Sequence, residues 1–151
     1  MSSAAPNASN APIDPKDRFA IIAARWNEAI VEPMLAACTE RFAERGCERV
    51  DVHRVPGSYE LPVAAKWAAE SERYAGLITL GCVIRGDTAH FEYVAGPCAD
   101  GCMRVQLATG VPVIFGVLTV ENEEQARARI PNGSAAADVA LEMVALRKEL
   151  A

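Results

Sequence analysis

Leu77-Ile78-Thr79-Leu80-Gly81-Cys82-Val83-Ile84-Arg85-Gly86-Asp87-Thr88-Ala89-His90-Phe91-Glu92-Tyr93-Val94 is the stretch from which the rest of the chain can be read. The apolar run Gly76 to Leu80 has the length of a strand, and the spacing predicts a helix from about Thr88 to Leu107. The link between them carries two glycines and places Arg85, Asp87, Thr88 and His90 within six residues. A strand that ends in a short loop and opens a helix leaves backbone N–H groups free at the helix start, where anions bind. The same residues would also serve a plain helix cap, with Asp87 or Thr88 as the cap and His90 solvated on the first turn. Residues elsewhere in the chain decide between these readings.

At 151 residues the chain is long enough for one domain with a real core. Hydrophobic residues make up 51%, charged residues 23%, and the net charge is −5, a globular composition with an acidic balance. Nucleic-acid binding needs a basic face, so no nucleic-acid partner is expected. No apolar run approaches the ~20 residues of a membrane span. The first residues lack a charged-then-apolar leader pattern, so a cytoplasmic protein is expected. Cys38, Cys47, Cys82, Cys98 and Cys102 are odd in number and contain no CxxC pair. They read as reduced packing residues rather than as a disulfide framework or a metal site.

Residues 1–17 are rich in Ala, Ser, Asn and Pro without periodicity, which predicts a disordered or loosely attached arm before a domain spanning 18–151. Phe19 to Ala24 is a continuous apolar run, as in a strand buried on both faces. After Arg25-Trp26-Asn27, the spacing of Met34, Cys38 and Phe42 predicts a helix, beginning regularly near Pro33 and stopped by Gly46. Val50 to Val55 alternates as a strand nearer an edge would. Pro56 to Glu60 turns the chain, Ser58 is the expected N-cap, and Leu61 to Glu70 is a helix with Leu61, Ala64, Ala65 and Ala68 inward. Val111 to Leu118 is a fourth strand, after which Glu123 to Gln125 opens a short helix with Arg127 and Arg129 near its end. Ser134 is expected to cap a last helix whose apolar side holds Ala137, Leu141, Val144 and Leu146.

A strand–helix unit repeated four times, plus a C-terminal helix, predicts an α/β fold with a parallel sheet and helices on both faces. Ligands of such sheets sit beyond the carboxyl ends of the strands. All four strands end there in segments rich in polar, glycine or aromatic residues, which lifts the binding reading above the plain cap.

Three long segments in order are similar to the lumazine synthase family. They are Val55-Pro56-Gly57-Ser58-Tyr59-Glu60-Leu61-Pro62, then Gly81 to Phe91, then Gly116-Val117-Leu118-Thr119-Val120-Glu121-Asn122 running into Glu124-Gln125-Ala126. The resemblance covers Phe19 to Leu150 and implies a three-layer α/β/α sandwich with a four-stranded parallel sheet in flavodoxin-like arrangement. It implies condensation of 5-amino-6-(D-ribitylamino)uracil with 3,4-dihydroxy-2-butanone 4-phosphate, the penultimate riboflavin step, with no cofactor and no metal. Residue by residue, it implies that Trp26 stacks on the pyrimidine, with Asn27 beside it. Ser58, Tyr59 and Glu60 hold the ribityl chain and ring, the backbone of Cys82, Val83 and Ile84 reads the pyrimidine edge, and Phe115 lines the same site. Asp87 and Thr88 form the phosphate turn, Arg129 is the phosphate arginine arriving from a neighbouring subunit, and His90 transfers protons. An imidazole both donates and accepts near neutrality. Implied partners are the two small-molecule substrates and identical subunits in a homopentamer, which in the family also builds decamers and 60-mers, with riboflavin synthase as a further partner.

One departure stands out. The family commonly has a longer link before the last helix, with an Asn-Lys-Gly whose lysine lies near the phosphate. Here Asn132 falls in that place, and weaker phosphate affinity is expected. The alternative function is a low-turnover flavin- or lumazine-binding relative acting as regulator or scaffold. An FMN carrier would need a hydroxyl-rich loop after the first strand, and Arg25-Trp26-Asn27-Glu28 is not one.

Overall fold

The structure is a computed structural model that describes residues 5–151. Four strands, β1 (Phe19–Ala24), β2 (Val50–Val55), β3 (Gly76–Ile84) and β4 (Val113–Val120), form one sheet in the order β2-β1-β3-β4. Every neighbouring pair is parallel. The helices are α1 (Glu28–Glu44), α2 (Leu61–Glu70), α3 (His90–Thr109), α4 (Glu123–Ala128) and α5 (Asn132–Leu150).

Alternation along the strands divides the core in two. Phe19, Ile21, Ala23, Ile78 and Leu80 face α1 and α5, joined by Met34, Phe42 and Leu141. Ala20, Ile22, Ala24, Leu77 and Val117 face α2 and α3, joined by Leu61, Ala65, Cys98 and Cys102. The expected three-layer sandwich is therefore present, in the flavodoxin-like arrangement. β1 is buried along its whole length because it lies between two strands under two helical layers. β2, read as near an edge, is outermost.

Several boundaries differ from expectation. α1 begins at Glu28, so Pro33 lies inside it and one helical hydrogen bond is missing. Burial of Ile30 and Val31 in the first turn outweighs that loss. β3 runs on through Gly81 to Ile84, because β4 continues alongside it as far as the Ile84–Val120 pair. For the same reason β4 is shifted two residues onward from Val111–Leu118, and α3 starts at His90 rather than Thr88.

Ser58 does not cap α2. It is buried in a 3₁₀ turn over Ser58–Glu60, where the Glu60 carboxylate accepts from Gly57 N–H at 3.0 Å. Ser134 is not a cap either, since α5 already begins at Asn132. This early start depends on Gly133: a Cβ there would stand 2.2 Å from the Met34 carbonyl oxygen, so only glycine permits α5 to lie this close to α1. Ala137, Leu141 and Val144 face inward, but Leu146 is 40% exposed because it falls off the stripe Gly133, Ala137, Leu141, Val144.

Residues 1–4 of the arm lie outside the described residues. Further along it, Ile13 packs against the core, the Ser9 carbonyl accepts from Arg45, and Asp14 and Asp17 both pair with Lys148 on α5.

Candidate active site

In the order β2-β1-β3-β4 the connections leave β1 toward β2 and then return to β3, so the direction of winding reverses between β1 and β3. Beyond the carboxyl ends of strands flanking such a reversal a crevice opens. A groove of about 720 Å³ lies there.

Its first wall follows β1. Trp26 stands 72% exposed over the groove, an uncommon position for a tryptophan. Asn27 sits in the left-handed region at φ 61°, ψ 45°, which asparagine tolerates better than most residues. That conformation ends β1 sharply and turns the Asn27 side chain toward β3, where Nδ2 donates to the Cys82 carbonyl at 2.8 Å.

The floor is the overhang of β3. β1 pairs with β3 only as far as Ala23–Leu80, whereas β4 follows β3 to Ile84. Leu77 N–H and Arg85 N–H both donate toward β4, to Pro112 and Val120. By the alternation of a strand, residues 81, 83 and 85 therefore turn their backbone groups to β4, and residues 82 and 84 turn theirs to the gap beyond β1. The Cys82 carbonyl takes Asn27, and the β1–β3 register sets the Cys82 N–H against the Ala24 carbonyl, so the Ile84 amide and carbonyl remain to face the groove. The Val83 backbone is committed to the β4 ladder. Cys82 is buried, and burial pushes its thiol up to about 11, which keeps it a protonated, unreactive packing group.

The second wall is the turn Gly57–Glu60. Ser58 Oγ lies under Gly81, where a Cβ would meet it at 2.5 Å, so glycine at 81 is what lets this turn close on β3. Tyr59 is 62% exposed toward the groove. Glu60 spends one carboxylate oxygen on Gly57 N–H and keeps the other free.

The far end is the turn into α3. Thr88 Oγ1 accepts from His90 N–H at 3.3 Å, which leaves the hydroxyl proton available to a ligand. Ala89 is the N-cap and has no capping side chain; the His90 N–H goes to Thr88 and the Glu92 N–H to the Ala89 carbonyl at 3.1 Å, so Phe91 is the first-turn residue whose amide is left outward. His90 lines the groove, and Phe91, Tyr93, Val94 and Pro97 continue its wall.

Of the residues singled out in the sequence, Trp26, Asn27, Ser58, Tyr59, Glu60, Cys82, Val83, Ile84, Thr88 and His90 come together on this groove. Asp87 adjoins it but does not line it. Phe115 lies in mid-β4, opposite Thr79 and 41% exposed, away from the groove. Arg129 ends α4 and donates to the Gln125 carbonyl at 2.9 Å, also away from it. Sequence reasoning missed Gly57, Gly86, Phe91, Tyr93, Val94 and Pro97. Three of these six could have been found by helical spacing from His90, because 90, 93, 94 and 97 share one face of α3.

A family model for 6,7-dimethyl-8-ribityllumazine synthase matches residues 16–148. A protein so named from Xanthomonas oryzae pv. oryzae strain PXO99A is 49% identical over 143 residues, covering 90% of this chain and 93% of its own. One from Stenotrophomonas maltophilia strain R551-3 is 49% identical over 140 residues, covering 88% and 90%. One from Xanthomonas campestris pv. campestris strain B100 is 47% identical over 140 residues, covering 88% and 91%. With a family match over residues 16–148 and relatives at 49% identity over about nine-tenths of the chain, the chain belongs to the 6,7-dimethyl-8-ribityllumazine synthase family.

Proposed function

We propose that the chain condenses 5-amino-6-(D-ribitylamino)uracil with 3,4-dihydroxy-2-butanone 4-phosphate to 6,7-dimethyl-8-ribityllumazine, with loss of phosphate and water. The observation that carries this reading is the groove itself. It offers a flat aromatic face, a strand overhang with a free donor and acceptor, and an outward-facing helix start, all within reach of one histidine.

The Trp26 indole stacks on the pyrimidine ring. The ring edge takes the Ile84 backbone groups, while Ser58, Tyr59 and the free oxygen of Glu60 receive the ribityl hydroxyls. Thr88 and the Phe91 N–H hold the phosphate, and the Asp87 carboxylate stays outside. Carbinolamine dehydration, phosphate elimination and ring closure each move a proton, and His90 is the group placed to give and take it. Much of the rate comes from holding the two reactants together.

Phe115 and Arg129 join the site from a neighbouring copy. Support comes from their exposure away from their own groove, on an outer strand and at the end of α4. We infer a homopentamer, the smallest closed ring the family builds. The five cysteines are free thiols, which suits the cytoplasm.

The test follows lumazine absorbance with purified protein and both substrates against the uncatalysed reaction. Acceleration is expected. A rate equal to background, with product still bound, would overturn the enzyme reading in favour of a lumazine-binding scaffold.

A further inference from the structure

The Arg85 side chain is the one strongly connected group beside the groove that the proposed chemistry does not use. Its Nε donates to the Glu121 carboxylate, with contacts of 3.0 and 3.2 Å, and its NH1 pairs with Glu92. The guanidinium carbon lies 4.3 Å from the centre of the Phe91 ring. These partners belong to two places: Phe91 and Glu92 to the first turn of α3, and Glu121 to the turn after β4. Arg85 is thus committed to two carboxylates and is not a free phosphate ligand.

The connection continues through Glu121. Its N–H donates to the Gln125 side chain at 2.8 Å, and the Gln125 carbonyl accepts the Arg129 guanidinium at 2.9 Å. Single exposed ion pairs contribute little. A planar cation that joins two carboxylates and stacks on a ring is different, because a lysine cannot reproduce the fork or the flat face.

We propose that Arg85 is a positioning residue: it clamps the Gly86–His90 turn to the start of α4 and so fixes the phosphate-binding turn and Arg129 in one arrangement. This rests on the reading that Thr88 and Arg129 hold the phosphate. Because Arg129 serves the neighbouring subunit's site, one clamp sets anion-binding groups of two adjacent sites.

The experiment compares Arg85→Met, Arg85→Lys and the milder Glu121→Gln with wild type in steady-state kinetics. Amide hydrogen exchange of residues 86–92 is followed in parallel without substrate. Arg85→Met is expected to raise KM for the butanone phosphate about tenfold and to speed exchange, leaving KM for the pyrimidine within about twofold. Arg85→Lys should recover less than half of the loss, and Glu121→Gln should show the same split in smaller size. Unchanged exchange and KM, an equal rise for both substrates, or full recovery by lysine would overturn the proposal. An inactive wild type would overturn the reaction instead, and the exchange arm would still decide the clamp.

Discussion

The Asn27 amide donates to the Cys82 carbonyl across 2.8 Å, and so ties the chain leaving β1 to the strand that overhangs it. Asn27 also holds a left-handed backbone at φ 61°. The two roles can be separated. Asn27→Gly keeps the backbone and loses the tether, so stability should stay near wild type while KM for the pyrimidine rises about fivefold. Asn27→Ala loses both and should unfold about 1 kcal/mol more easily. Urea titration alongside kinetics checks the pair.

Trp26 is largely exposed, so its substitution should be read in binding and not in stability. Trp26→Ala should weaken pyrimidine binding about tenfold, and Trp26→Phe about threefold or less, since an aromatic contact contributes ~0.5–1.5 kcal/mol beyond its area. Melting temperatures should not move. Isothermal titration with the pyrimidine substrate measures the difference.

Arg129→Ala should raise KM for the butanone phosphate far more than KM for the pyrimidine. His90→Ala should slow turnover by one to two orders of magnitude, roughly, at or just below the low end of general acid–base help, because holding the two reactants together supplies much of the rate. If the two residues enter a site from different copies, as proposed, mixing Arg129→Ala subunits with His90→Ala subunits should restore some wild-type sites. Steady-state assays of the mixed assembly give the answer, and an absence of complementation would place both residues in one subunit's site.

Gly133→Ala sets a methyl group against the Met34 carbonyl and should destabilise the fold by about 3 kcal/mol, measured by urea unfolding. Gly81→Ala acts differently. Its methyl displaces Ser58 Oγ and should therefore disturb ribityl binding before it disturbs the fold.

Burial pushes the Cys38 thiol from 9.0 up to about 12 and the Cys82 thiol from 9.0 to about 11. The folded chain keeps these protons where the unfolded chain releases them. Their contribution to stability is complete below about pH 9 and is lost as pH rises through 11 to 12. Denaturant midpoints should fall over that alkaline range. At pH 7 a maleimide should label none of the five buried cysteines until the protein unfolds.

The alternation of apolar runs with amphipathic ones made the layers readable from the sequence, and glycine and proline marked most of the turns. What stayed hidden had no local marker. Gly81-Cys82-Val83-Ile84 looks like either strand or loop, and only the length of β4 beside it decides. Pro33 and Ser134 carry strong local signals that the packing of Ile30, Val31 and Gly133 overrides. Arg85 was visible as a charge, but its three partners lie up to 36 residues away.

The unequal ends of β1 and β3 have an evolutionary consequence under this reading. A flat heterocycle with donors and acceptors along one edge takes the seat that three more residues of β1 would have filled beside Cys82 to Ile84, and becomes a surrogate strand. Its recognition is written in the stopping point of β1, not in the side chains at 82 to 84. Those side chains are then free to drift among apolar types, whereas continuing β1 along β3 to Ile84 would fill the seat and close the site.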